Sequence, residues 1–176
     1  MKKYDAVFVG RFHYTKGIKE MMEIWEGVMK LRKRASLVII GGGDSEEKCL
    51  KAWARKFPEN VYMLGYVAAN RFKIYKQSRI VLYPTPIEYS HFSMGPVEAM
   101  ACGCPLVAFK LPVLRFVRAE GLAHALTIDE YIRNVLILLW NDPMREQLGQ
   151  CAARWASKWD WKVRAPAILQ QIRGAL

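Results

Sequence analysis

Ala6-Val7-Phe8-Val9-Gly10 and Leu37-Val38-Ile39-Ile40-Gly41-Gly42-Gly43 bracket a stretch, residues 16–33, in which Ile18, Met21, Met22, Trp25, Val28 and Met29 share one helical face. A short apolar run that stops at glycine reads as a buried strand, and recurrence every three to four residues reads as an amphipathic helix. Strand, helix and strand in that order predict two parallel strands joined by a crossover.

The same unit continues down the chain. Asp44 or Ser45 is placed to cap a helix reaching about residue 56. Val61-Tyr62-Met63-Leu64, stopped by Gly65, is a third strand, followed by a short helix over residues 71–77. Ile80-Val81-Leu82-Tyr83, ended by Pro84, is a fourth. A helix is expected to begin between residues 93 and 96 and to reach Cys102, and Leu106-Val107-Ala108-Phe109 is a fifth strand. Residues 129–139 and 144–172 read as helical. The expected fold is α/β: one domain over residues 1–176, a Rossmann-like parallel sheet with helices on both faces. Such sheets bind ligands beyond the carboxyl ends of their strands. Those ends hold Gly10-Arg11, the three glycines, Gly65-Tyr66 and residues 84–90.

Composition sets the outer bounds. The chain has 176 residues, 52% hydrophobic and 24% charged, enough to bury a core and too apolar for disorder. A net charge of +11 points to anionic partners: nucleotide phosphates, nucleic acid or an anionic membrane surface. No zinc-finger spacing or aromatic-interleaved RNA signature is present, so nucleic acid is not expected. Cys49, Cys102, Cys104 and Cys151 form no Cys-x-x-Cys pair and have no histidine at metal-site spacing. They read as buried thiols in a reducing compartment, and no metal is expected. The chain enters its first strand without a leader-like stretch, and no apolar run nears the ~20 residues of a membrane span. A cytoplasmic protein is expected, with peripheral contact at a membrane surface as a further option.

Three constellations carry chemistry. In Gly10-Arg11-Phe12-His13-Tyr14-Thr15-Lys16-Gly17, two cations sit in a strand-to-helix loop. A guanidinium fork, an ammonium and the free amides of a new helix suit a diphosphate. Two solvated surface cations would give the same spacing. Ile40-Gly41-Gly42-Gly43-Asp44 lacks the third glycine of a dinucleotide fingerprint and reads as a tight turn against a ligand or a neighbouring loop. Phe92-Ser93-Met94-Gly95-Pro96-Val97-Glu98-Ala99-Met100-Ala101-Cys102-Gly103-Cys104-Pro105-Leu106-Val107 places Glu98 near a helix start in an apolar segment. A carboxylate there could gain from the helix dipole and accept from two adjacent hydroxyls, or serve only the helix.

Taken in order, Gly-Arg-Phe-x-x-x-x-Lys-Gly, the triple glycine, Val-Tyr-Met-Leu-Gly-Tyr-Val and Phe-Ser-Met-Gly-Pro-Val-Glu-Ala-Met-Ala-Cys-Gly-Cys-Pro resemble the C-terminal, donor-binding domain of retaining GT-B glycosyltransferases, the "glycosyl transferases group 1" family. The resemblance covers about residues 4–172. It implies that Arg11 and Lys16 hold the donor diphosphate and stabilise its charge as the sugar leaves, that Glu98 binds the nucleotide ribose, and that the backbone amides of Met94, Gly95 and Pro96 face the phosphates. Gly65, Tyr66 and Val67 match the segment that lines the base, with Gly10, Gly41 and Gly42 in the same pocket. The family carries a second glutamate eight positions before Glu98, which contacts the donor sugar, and that position here is Ser90. Glu88, His91 and Phe92 lie in the same loop, and His91 is a candidate sugar contact. After Phe109 the family's glycine-rich turn is reduced to Gly121-Leu122-Ala123.

The function implied is transfer of a hexose, such as mannose or glucose, from a UDP-sugar or GDP-sugar to a glycan or lipid-linked acceptor, as in polysaccharide biosynthesis, with no cofactor or metal. The family's enzymes need a second, N-terminal domain that binds the acceptor and closes over the donor, in cis or in trans. The chain without it is expected to bind donor weakly and to transfer negligibly. The alternative is a non-catalytic nucleotide-binding module or a degenerate relative, and Ser90 favours it.

Overall fold

The computed structural model describes residues 2–174 apart from 44, 68–69, 87–93, 113 and 115–121. Six strands form one sheet: β1 (Tyr4–Val9), β2 (Leu37–Ile40), β3 (Val61–Gly65), β4 (Ser78–Tyr83), β5 (Leu106–Phe109) and β6 (Leu122–Ala125). They run parallel in the order β3-β2-β1-β4-β5-β6. The helices are α1 (Ile18–Leu31), α2 (Glu47–Ala54), α3 (Arg71–Gln77), α4 (Met94–Ala101), α5 (Ile128–Trp140), α6 (Asp142–Ser157) and α7 (Trp161–Gly174). This is the Rossmann-like α/β sheet read from the sequence.

Side chains alternate across a strand, so a sheet covered on both faces is apolar at every position. β1 shows this. Ala6 and Phe8 join a core built from α1, α2 and α5, while Val7 joins another built from α3, α4 and α6. Trp25 of α1 and Tyr131 of α5 are fully buried in the first. Each such side chain contributes about 2–3 kcal/mol of transfer free energy. No residue of α7 is buried, and Trp140, Trp159 and Trp161 are exposed, whereas Trp25, Trp53 and Trp155 are core. Among the described residues, no helix is long and apolar enough to cross a membrane.

Five details depart from the sequence reading. β6 was not anticipated. Residues 144–172 are two helices, interrupted between Ser157 and Trp161. α1 begins at Ile18, because Lys16 ends a separate 3-10 turn, Tyr14–Lys16, and Gly17 follows it with φ 72°. α2 has Glu46 at its N-cap, and Glu47 reaches back to accept from the Gly43 amide at 2.7 Å; Asp44 lies outside the described residues. The cysteines are all free, but only Cys104 is buried; Cys49 is exposed and Cys102 and Cys151 are half-buried. Burial pushes the Cys104 thiol up to about 12, and it donates to the carbonyls of Tyr75 and Ser78.

Polar groups tie the sheet at both ends. At the amino ends, Asp5 accepts from the Ser36 amide at 3.0 Å and pairs with Arg32 at 3.3 Å and Arg79 at 3.4 Å, linking β1 to the residues flanking β2 and to β4. Deeper in, the buried Tyr131 hydroxyl donates to the Val107 carbonyl and accepts from the Tyr83 amide at 3.1 Å. Tyr131→Phe keeps the ring and removes the hydroxyl that bridges these two backbone groups. It is expected to lower the unfolding free energy by about 1–3 kcal/mol, read as a lower urea midpoint at unchanged slope.

Candidate functional site

The chain runs outward from β1 to β2 and β3, then returns to place β4 on the other side of β1. A sheet wound in this way opens a crevice beyond the carboxyl ends of the two central strands. Here the crevice is a cleft of about 300 Å³ lined by Val9, Gly10, Arg11, Ile40, Gly41, Gly42, Tyr66, Val67, Arg71, Gly95 and Glu98. Its walls come from the loops after β1, β2 and β3 and from α3 and α4. A second depression of about 480 Å³ is lined by Lys110, Leu111, Pro112, His124 and Leu126 and gathers none of the motifs.

The loops around the first cleft interlock through their backbones. The Gly10 amide donates to the Ile40 carbonyl (3.1 Å), the Gly41 amide to Gly65 (2.9 Å), and the Phe12 amide to Gly43 (3.2 Å). Phe12 is buried and anchors the first loop. Gly41 has φ 139°, and a β-carbon there would lie 1.9 Å from the Gly10 carbonyl oxygen. Only glycine allows that approach. At Gly95, a β-carbon would sit 2.7 Å from Val9 Cγ1, so α4 starts hard against the end of β1.

Eight of the sequence candidates line the cleft: Gly10, Arg11, Gly41, Gly42, Tyr66, Val67, Gly95 and Glu98. Lys16 is half-buried behind them, its Cγ 3.7 Å from the β-carbon position of Gly10. Partial burial, and then the neighbouring Arg11 charge, hold its ammonium below the ordinary lysine value of 10.5. Gly65 contributes its carbonyl to the loop lattice and does not line the cleft. Met94, Gly95 and Pro96 form the first turn of α4, and Pro96 is buried and has no N–H to offer. Ser90, His91 and Phe92, with Glu88, lie outside the described residues.

Glu98 differs from its sequence reading in one respect. It is in the second turn of α4, where the dipole of the helix start has faded. A side chain that the sequence did not single out holds it instead. Arg71 Nε donates to Glu98 Oε2 at 2.8 Å and Nη2 to Oε1 at 3.0 Å, and the Tyr75 hydroxyl stands 3.5 Å from Oε2. Burial, then the Glu98 charge, raise the Tyr75 phenol well above its ordinary value, so it stays protonated as a donor. The cleft therefore presents a cationic, glycine-walled side at β1 and an oriented carboxylate at α4. An anion and a vicinal diol are complementary to those two sides.

The "Glycosyl transferases group 1" family description matches residues 1–155. The chain belongs to this family. It is 30% identical over 171 residues to the phosphatidyl-myo-inositol mannosyltransferase of Mycobacterium leprae, across 94% of this chain and 45% of that protein. It spans less than half the length of the curated relatives it matches. Among solved structures, the C-terminal domain of a glycosyl transferase group 1 family protein from Francisella tularensis superposes with a TM-score of 0.74 at 21% identity, over 89% of this chain and 86% of that one. S. aureus TarM, in a complex with fondaparinux, alpha-GlcNAc-glycerol and UDP, gives 0.79 at 22% identity over 97% of this chain and 36% of that one. These likenesses establish a GT-B glycosyltransferase fold for this member of the group 1 family.

Proposed function

We propose that this chain is the donor-binding half of a retaining glycosyltransferase that takes a hexose from UDP or GDP and passes it to a glycan or lipid-linked acceptor. The observation that carries the reading is the meeting, in one cleft at the carboxyl edge of the sheet, of Arg11, the Gly41-Gly42 turn, Tyr66 and Glu98. In this reading the diphosphate lies against Arg11 and Lys16 and the free amides at the start of α4. The ribose hydroxyls donate to Glu98, and the base lies along Tyr66 and Val67. As the bond from the anomeric carbon to the phosphate oxygen breaks, negative charge collects on the diphosphate. Fixed cations and helix-end amides stabilise that charge without reorganising. Relatives that transfer mannose, such as the M. leprae protein, and a neighbour solved with UDP support the substrate class without choosing the base.

Turnover needs an acceptor site and exclusion of water, and the family supplies both through a second domain that closes over the donor. Calorimetric titration with UDP, GDP and their mannose and glucose conjugates tests the donor reading. Saturable binding of one nucleotide series, weakened by Glu98→Ala, is the expected result. A folded chain that binds none of them overturns it. Ser90, where the family carries a sugar-contacting glutamate, favours a second reading, a module that binds the nucleotide but transfers nothing. Transfer on addition of the acceptor domain separates the two.

A further inference from the structure

The geometry points to Arg71 as a positioning residue that sets the Glu98 carboxylate for a ribose diol. The inference rests on the nucleotide reading above and adds to it a residue that no motif contains. Arg71 opens α3 and Glu98 lies in the second turn of α4, 27 positions away, and both line the cleft. The pairing is a fork on a fork, with Nε and Nη2 each meeting one carboxylate oxygen at 2.8 and 3.0 Å. Two parallel bonds fix the plane of a carboxylate, which one bond does not. The Arg71 guanidinium is itself held, with Cζ 4.5 Å from the centroid of the Phe72 ring.

A carboxylate offers about four lone-pair positions. Arg71 takes one on each oxygen, and the Tyr75 hydroxyl stands within reach of another on Oε2. What remains is one free position on Oε1, and a second on Oε2 where a ligand hydroxyl replaces the long 3.5 Å contact of Tyr75, both on a carboxylate whose rotamer is already chosen. Adjacent 2′ and 3′ hydroxyls require such a pair of fixed acceptors. A carboxylate free to turn would lose rotamer entropy on binding, and Arg71 removes that cost in advance. The cationic partner also keeps Glu98 from facing the diphosphate side as an unneutralised charge. Lysine cannot reproduce the fork, so the role is specific to arginine.

The test is calorimetry on the full chain with whichever nucleoside diphosphate binds, alongside its 2′,3′-dideoxy counterpart. Arg71→Gln and Arg71→Lys should each weaken the ribonucleotide by roughly ten-fold, the scale of one charge-assisted hydrogen-bond arrangement. Both should leave the dideoxy nucleotide within about two-fold of the unmodified chain, which also shows that the variants are folded. Glu98→Gln combined with Arg71→Gln should lose no more than Glu98→Gln alone. Equal losses for the ribo and dideoxy nucleotides would overturn the positioning role and make Arg71 a direct contact to base or phosphate. Unchanged ribonucleotide binding would overturn it as well. Failure of the unmodified chain to bind any nucleotide would instead remove the donor reading on which it stands.

Discussion

Gly41→Ala is expected to lower the unfolding free energy by about 3 kcal/mol or more, a fall of roughly 10 °C in Tm for a chain of this size. The obstacle is backbone: the new methyl would overlap the Gly10 carbonyl oxygen, 1.9 Å away, in a residue already at φ 139°. No rotamer change relieves it. The loops after β1 and β2 must part, which breaks the Gly10-to-Ile40 and Gly41-to-Gly65 bonds and spreads the cleft. Gly42→Ala is the internal control. It lies in the same turn and lines the same cleft, yet nothing stands within 4 Å of its β-carbon position. It should stay within about 0.5 kcal/mol of the unmodified chain. Thermal unfolding of the two variants side by side checks the claim, and equal stabilities would show that the approach of these loops is not tight.

Arg11→Ala and Lys16→Ala are each expected to weaken binding of the nucleoside diphosphate by about 10- to 100-fold while leaving the free nucleoside unaffected. In the proposed reading both cations act on one diphosphate, so the double variant should lose less than the product of the two. In the complete enzyme proposed above, sugar transfer should fall by about 10²- to 10³-fold for either change, on the reading that charge grows on the phosphate as the bond breaks. Lys16 adds a pH signature. Its folded-state pKa is depressed, so its protonated form disfavours the fold, and that penalty lifts as pH rises through the depressed value. A bound diphosphate reverses the bias, raises the pKa and draws in a proton. Affinity should therefore hold at neutral pH and decline on the alkaline side, starting below 10.5. Lys16→Ala should flatten that alkaline limb, and titrations in buffers of different ionisation enthalpy would register the proton uptake. An alkaline limb that persists in Lys16→Ala assigns it to another group.

Five of the six strands were legible because each is an apolar run closed by glycine or proline or by a polar residue; β1, β2, β4 and β5 are buried along most of their length, and the edge strand β3 keeps an apolar run although Tyr62 and Leu64 are exposed. β6 escaped because Leu122-Ala123-His124-Ala125 is an edge strand, with no β-branched residue and its middle pair only half-buried. The break between α6 and α7 escaped because Trp155, Trp159 and Trp161 continue an apolar pattern across it. At the cleft, Gly10, Arg11, Gly41 and Gly42 were legible because each lies in a local motif at a strand end, and Glu98 because it lies in the motif that contains α4. Arg71 was not. Its partner is distant in sequence, and only the packing of α3 beside α4 brings them together. Lys16 could be named from its spacing, but its half-buried position beside Gly10 depends on how the loop folds back over β1.

The position of β1 has a consequence for synthesis. Within this domain it is made before either of its neighbours, and it needs partners on both edges. One edge waits for Leu37–Ile40 and the other for Ser78–Tyr83. Throughout that interval an apolar strand has an unpaired edge open to wrong partners, and prompt chaperone capture would be an advantage. The crevice itself is completed only when Glu98 has been made and α4 has docked against Val9. A nucleotide cannot guide the early steps of assembly and can only fasten the last one.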